Sequence, residues 1–317
     1  MNKIAKIILI VLSILLVLII IAIFLGANYM FKFALEPESE SFLLQEDSSY
    51  GDDIYGENVL SELDKWFLDN SQEETVTSFD GLKLKGYYLP SYKKSENYVL
   101  LIHGYKSSPI AMVPYAKHYY DLGFNLLLPF QRAHGSSEGK YIGMGCLEHY
   151  DMLEWINLIL EKNPNANILL HGVSMGAATV MLLTGDNNLP FNVLAAIEDC
   201  GYSSVEAEFT EQLKQMFGLP GFPIIPASSL ITKLKAGYFF GDGNCIEAVE
   251  NSVTPTLFIH GSLDTFVPFY MLDEIYSAAI CEKQKLVVPG AEHASSLYEN
   301  PELYWSVVDS FVKKYIP

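Results

Sequence analysis

Gly172-Val173-Ser174-Met175-Gly176 sets a serine between two glycines, and the residues on either side give that spacing a meaning. The apolar run 168–170 reads as a buried strand ending at His171, and Ala177 to Leu182 reads as the start of a helix. A strand, a tight turn and a helix at a GxSxG form a nucleophile elbow, whose small flanking residues permit a strained turn that exposes the serine. The helix N-terminus behind Ser174 would favour developing negative charge. A serine hydroxyl is a poor nucleophile alone. It needs a base of near-neutral pKa and a third group that orients the base.

Seven histidines compete for the role of base. His103, His171 and His260 end apolar runs and precede glycines or a glycine-led turn, positions suited to loop-forming hydrogen bonds. His118 and His149 sit in helical patterns, and His134 sits in a Gly/Ser turn. His293, in Pro289-Gly290-Ala291-Glu292-His293, follows the last strand-like run, where a loop can carry it over the carboxyl ends of parallel strands. His293 is therefore the expected base. Two acids suit the third role: Asp264 after the run 256–259, and Asp199 after the run 193–197. Both fit the chain order Ser, Asp, His, so order does not separate them.

The surrounding elements must place these groups at one edge of a sheet. Strands are expected at 98–102, 124–128, 168–170, 193–197, 256–259 and 285–288, with helices clearest at 147–160, 174–183, 271–279 and 301–314. Short apolar runs alternating with helices imply an α/β fold with a doubly wound, mostly parallel sheet. Before them, 75–79 and 82–89 flank Asp80-Gly81, a hairpin signal. Residues 203–250 interrupt the rhythm with Phe, Leu, Ile and Pro, which predicts a cap insertion. No internal repeat is evident.

From Ile7 to Leu25 the chain is apolar except for Ser13, and the stretch continues with few interruptions to Phe31. About 20 such residues span a bilayer core of ~30 Å. The run exceeds a secretory signal's usual apolar region and has no clear small-residue cut site, so residues 1–31 are expected to be an uncleaved anchor. Lys3 and Lys6 precede it, while Glu36, Glu38 and Glu40 follow Lys32, which puts the N-terminus in the cytoplasm and the bulk outside. Residues 32–70 read as an acidic tether and a short amphipathic helix carrying Leu60, Leu63, Trp66 and Phe67. The remaining 71–317 is the catalytic domain.

A formal charge of −18 argues against nucleic acid or acidic membrane surfaces as partners of the folded part. The four cysteines, Cys146, Cys200, Cys245 and Cys281, are widely spaced and make neither a metal motif nor a disulfide framework. Nineteen of the twenty basic residues are lysine; the lone arginine, Arg132, marks a place that needs a planar, bidentate donor.

His103-Gly104-Tyr105, the GxSxG, Gly261-Ser262-Leu263-Asp264 with its nearby Val267-Pro268, and Gly290-Ala291-Glu292-His293 together resemble the α/β-hydrolase superfamily over roughly residues 75–315. The likeness is to bacterial serine hydrolases of the monoacylglycerol lipase and feruloyl esterase type and to related serine peptidases. It implies that Asp264 rather than Asp199 is the acid, and that the backbone N–H groups of Tyr105 and Met175 form the oxyanion hole. Gln131-Arg132-Ala133-His134-Gly135-Ser136-Ser137 resembles a loop of these enzymes in which the arginine organises rather than reacts; Gln131 and Ala133 depart from its pattern. The implied reaction is hydrolysis of a small ester with an apolar acyl group through an acyl-enzyme on Ser174, His293 and Asp264, with no metal or cofactor. Amide, peptide or thioester hydrolysis uses the same groups. A non-catalytic binding protein on this fold is the alternative from another class.

Overall fold

A computed structural model describes residues 3–37 and 57–317, with side chains of the second stretch from residue 62 onward. The tether at 38–56 and the side chain of Leu60 lie outside the described residues.

Eight strands form one sheet: β1 (Gln72–Thr77), β2 (Lys83–Leu89), β3 (Asn97–Ile102), β4 (Asn125–Pro129), β5 (Asn167–Val173), β6 (Val193–Asp199), β7 (Thr256–Gly261) and β8 (Lys283–Val288). Their spatial order is β1-β2-β4-β3-β5-β6-β7-β8. β1 and β2 form the antiparallel hairpin expected around Asp80-Gly81, and β2 meets β4 antiparallel. All later pairings are parallel, and β3 to β7 read as near-continuous apolar runs because helices cover both faces.

One face is covered by α2 (Glu57–Asn70), α3 (Val113–Leu122) and α11 (Pro301–Tyr315), which bring Phe67, Val113, Tyr119, Tyr304 and Phe311 into the core. The other carries α4 (Glu148–Lys162), α5 (Met175–Thr184), α8 (Cys245–Asn251) and α9 (Tyr270–Ala278). Trp155 and Ile156 of α4 and Val180 and Leu183 of α5 close a core against β3 and β5. The short α10 (Ser296–Glu299) precedes α11.

Within the expected cap, α6 (Val205–Phe217) and α7 (Gly221–Ala236) pack on each other, while α8 packs on α5 and α9 within the helical layer. α6 begins with Ser204 accepting the Ala207 N–H and ends at Gly218 in the left-handed region, an ordinary helix start and stop.

α1 (Lys3–Leu35) is one helix, long and apolar enough to cross a membrane. Its large side chains from Ile4 to Leu25 are exposed apart from the half-buried Ile23, but Ala27, Phe31 and Leu35 are fully buried against the cap and the domain. Phe67 of α2 is equally buried, so packing reaches well N-terminal of residue 71.

Candidate active site

The run of β5 into α5 turns at Ser174, whose φ of 57° and ψ of −119° lie outside the regular regions. That turn is possible because the residues two positions away on each side are glycines. A Cβ on Gly172 would stand 2.1 Å from the Gly176 carbonyl oxygen, and one on Gly176 would stand 2.1 Å from that of Ile102. The strained serine is thereby presented above the carboxyl end of the sheet, as an elbow requires.

The loop after β8 delivers His293 and the loop after β7 delivers Asp264. The Ser174 hydroxyl donates to His293 Nε2 at 2.9 Å, and His293 Nδ1–H donates to Asp264 Oδ2 at 2.8 Å. Asp264 Oδ1 accepts the N–H groups of Phe266 and Val267, which fix the carboxylate. His260 Nε2–H donates to the Val267 carbonyl and lies 3.2 Å from Asp264. Asp199 is elsewhere engaged: its Oδ2 accepts the Tyr304 hydroxyl at 3.0 Å. Its other oxygen, among the described residues, has no partner.

Burial raises the Asp264 carboxyl, but the His293 imidazole and the hydrogen bonds from His260 and His293 outweigh it and hold the group at about 2. Burial opposes charge on His293, yet the neighbouring Cys200 and Asp264 act the other way and raise its pKa above the ordinary value. Burial pushes the Cys200 thiol up to about 12, so it is neutral at pH 7 and the charge acting on His293 there is that of Asp264.

Cys200, Asp264 and His293 bring potential ligand atoms within 4.8 Å of one another. Both His293 nitrogens are already hydrogen-bonded, Nδ1 to Asp264 and Nε2 to Ser174.

Met175 begins α5 directly after Ser174, and Tyr105 follows Gly104, where a Cβ would lie 3.4 Å from Ser174 Cβ. Two histidines brace that second loop. The Gln131 N–H donates to His103 Nε2, and the Lys106 N–H donates to His134 Nε2. Burial holds both rings neutral, with pKa values of about 3 and about 4. The Tyr105 hydroxyl donates to the Ala34 carbonyl, and the Ile142 N–H to that of Leu35, so two terminal carbonyls of α1 are satisfied by the domain. Arg132 is buried and bidentate to Asp151 at 2.7 Å, and also reaches Asp80 at 3.0 and 3.1 Å. It ties the β1–β2 turn to α4 without touching Ser174, which matches an organising arginine.

Two clefts meet at Ser174. One, a half-open cleft of about 790 Å³ with its solvent-filled mouth included, is walled by Tyr105, Met175, Phe209, Met216 and Phe266 together with Met30, Phe31, Phe33, Ala34 and Leu35 of α1. The other, of about 600 Å³, is lined by Ser107, Tyr115, His293 and Tyr298. The α1 wall is not apparent from hydropathy alone, although Ala27, Phe31 and Leu35 recur every fourth residue beside the polar Asn28, Lys32 and Glu36.

Glu208 of the cap is also buried in the apolar cleft, an acid that its helical pattern would place in solvent. Its Oε1 accepts from Gln212, and its Oε2 has no partner among the described residues. Burial pushes its carboxyl up to about 8. The folded state therefore holds a proton that the unfolded chain releases near its ordinary value, and this contribution to stability declines as pH rises towards 8. Glu208→Gln should flatten that decline, read as a smaller drop in Tm between pH 5 and pH 8. An unchanged drop would mean that Glu208 ionises normally.

No family model matches the chain. The uncharacterized protein YqkD of Bacillus subtilis is 25% identical over 296 residues, which cover 92% of each chain. Among solved structures, the Pyrococcus furiosus esterase Pf2001 superimposes with a TM-score of 0.64 and 23% identity, covering 78% of this chain and 93% of its own. The alpha/beta hydrolase GrgF from Penicillium sp. superimposes at 0.60 with 17% identity, covering 78% and 99%.

The chain has the α/β-hydrolase fold. On an α/β-hydrolase sheet, Ser174, Asp264 and His293 all stand at the carboxyl ends of parallel strands, where the loops converge.

Proposed function

We propose that this chain is a serine hydrolase that cleaves carboxylic esters bearing an apolar acyl group, held at a membrane by α1 with its N-terminus in the cytoplasm. The observation that carries the reading is the Asp264–His293–Ser174 chain of hydrogen bonds, at 2.8 and 2.9 Å, on a strained turn between two clefts. In this reading His293 takes the Ser174 proton as Oγ attacks the carbonyl carbon. Asp264 holds the imidazole with Nδ1 protonated and stabilises the imidazolium that forms. The amides of Tyr105 and Met175 receive the oxyanion, each such donor contributing roughly 2.7–4 kcal/mol to the transition state. His293 then protonates the departing alkoxide, and a water deprotonated by the same ring releases the acid.

The unequal clefts favour an ester of long acyl and polar alcohol. The apolar side suits the acyl chain, and the side with Ser107, Tyr115 and Tyr298 suits a leaving group that carries hydroxyls. A fluorophosphonate probe should label Ser174, and a panel of matched esters, amides and thioesters should show esters hydrolysed fastest. Labelling with faster amide turnover would replace the ester assignment; no labelling of the folded protein would sink the serine-hydrolase reading.

A further inference from the structure

We propose that the membrane helix is itself a wall of the acyl pocket, and that the substrate is a membrane-resident long-chain acyl ester drawn from the bilayer along α1 to Ser174. This deepens the ester-hydrolase reading and rests on it.

The apolar run of α1, Ile7 to Leu25, covers 19 residues, or about 29 Å at the helical rise, close to the thickness of a bilayer core. Burial against the domain starts only two residues later, at Ala27. No spacer separates the span from the domain. Met30, Phe33 and Ala34 share the cleft with Ser174. They lie roughly 8–14 Å beyond Leu25 along the helix, at or just outside the headgroup layer, which reaches about 5–8 Å past the hydrocarbon core. A chain in the adjacent lipid thus needs to travel only a few turns of α1 to reach the serine.

The cap supplies an independent observation. α7 lies beside α1 at the height of the span's end: Ser228 Oγ donates to the Ala27 carbonyl at 3.4 Å, and Lys235 Nζ donates to Asn28 Oδ1 at 2.7 Å. From this helix Phe222, Leu230 and Leu234 are exposed, Phe222 and Leu234 by more than three quarters, while Lys235 stretches across the Phe31 ring. Apolar side chains beside snorkelling lysines are what an interfacial helix presents to lipid. α7 also lines the cleft, through Ile225 and Ser228, so both walls meet the membrane at the same end of the span.

The chemistry needs only water. Ser174 Oγ bonds the acyl carbon as its bond to the alkoxide breaks, His293 gives the alkoxide its proton, and water then divides the acyl-enzyme into fatty acid and free serine.

The test uses the full chain in vesicles of phosphatidylethanolamine and phosphatidylglycerol. An oleoyl ester of a fluorophore is placed in the bilayer, and the acetyl ester of the same fluorophore is supplied in water. Wild type should prefer the oleoyl ester, and should cleave it faster in vesicles than in detergent micelles. Met30→Trp, which fills the α1 wall, should lower the oleoyl-to-acetyl ratio of kcat/KM at least tenfold, and Phe33→Ala should shift the preferred chain length. Ile19→Trp, on the lipid-facing span, should leave the ratio as it was. Folded Met30→Trp and Phe33→Ala proteins with the wild-type profile would overturn the α1 wall. Wild type that cleaves acetyl but not oleoyl ester, or prefers micelles, would overturn the membrane-resident substrate while the triad reading survives. Failure on both esters, with no fluorophosphonate labelling, would instead remove the reading beneath it.

Discussion

Ser174→Ala is expected to abolish ester turnover and fluorophosphonate labelling, because the only hydroxyl on the strained elbow is then gone. His293→Ala should be nearly as damaging, each loss being on the order of 10⁶ in kcat where such groups act together. Asp264→Asn should cost roughly 10⁴, since an amide at this position favours the wrong imidazole tautomer. Asp199→Asn should cost less than about tenfold by the same measure, because Asp199 accepts from Tyr304 and makes no hydrogen bond to His293. The pH profile gives a second readout. Catalysis needs neutral His293, whose pKa is raised above the ordinary 6.5 with Asp264 contributing, so wild-type kcat/KM should fall as pH drops through a value above 6.5. Removing the Asp264 charge should move that acid limb to lower pH in whatever activity remains. Circular dichroism must first show each variant folded, since Asp264 also collects the Phe266 and Val267 amides. Folded Asp264→Asn with near-full activity, beside dead Asp199→Asn, would reverse the assignment of the acid. Turnover by folded Ser174→Ala would end the assignment of the nucleophile.

Much of the sheet is legible in the sequence because a parallel strand buried on both faces must be apolar throughout. The runs at 98–102, 193–197 and 256–259 fall inside β3, β6 and β7. α3 is harder to see: Pro114 stands in its first turn, and its buried face includes Val113, Tyr115 and Tyr119, residues that also suit strands. The separation of Asp264 from Asp199 is invisible to chain order because one ends and the other follows two adjacent strands, β6 and β7. It depends on the loop after β7, where two amides turn the Asp264 carboxylate towards His293. The bracing of the Tyr105 loop by His103 and His134 is likewise a long-range matter, joining residues 28 apart. Glu208 shows the limit of periodicity. On an amphipathic helix an acid reads as solvent-facing, and only the packing of α6 over the elbow turns it inward. The end of α1 fails for another reason, because strong hydropathy up to Leu25 hides the four-residue stripe that follows.

That stripe leads to a large effect on stability. A truncated chain beginning at Glu57 keeps α2 but loses all of α1, whereas one beginning at Gly26 keeps Ala27, Phe31 and Leu35. Full burial of a Leu or Phe side chain contributes about 1.5–3 kcal/mol, so losing these contacts and uncovering their partners costs roughly 5 kcal/mol. Net stabilities are only about 5–15 kcal/mol. In addition, the Tyr105 hydroxyl and the Ile142 N–H lose their α1 acceptors. The chain from Glu57 should therefore melt on the order of 10–20 °C below the chain from Gly26, or aggregate through the opened cleft. Its preference for long acyl esters should vanish with the wall. The chain from Gly26 should stay folded and label at Ser174 without the apolar span. Equal Tm and equal chain-length profiles for the two truncated proteins would show that α1 only tethers the domain. A large gap in both would mean that α1, the helix long and apolar enough to cross a membrane, also completes the core of the domain.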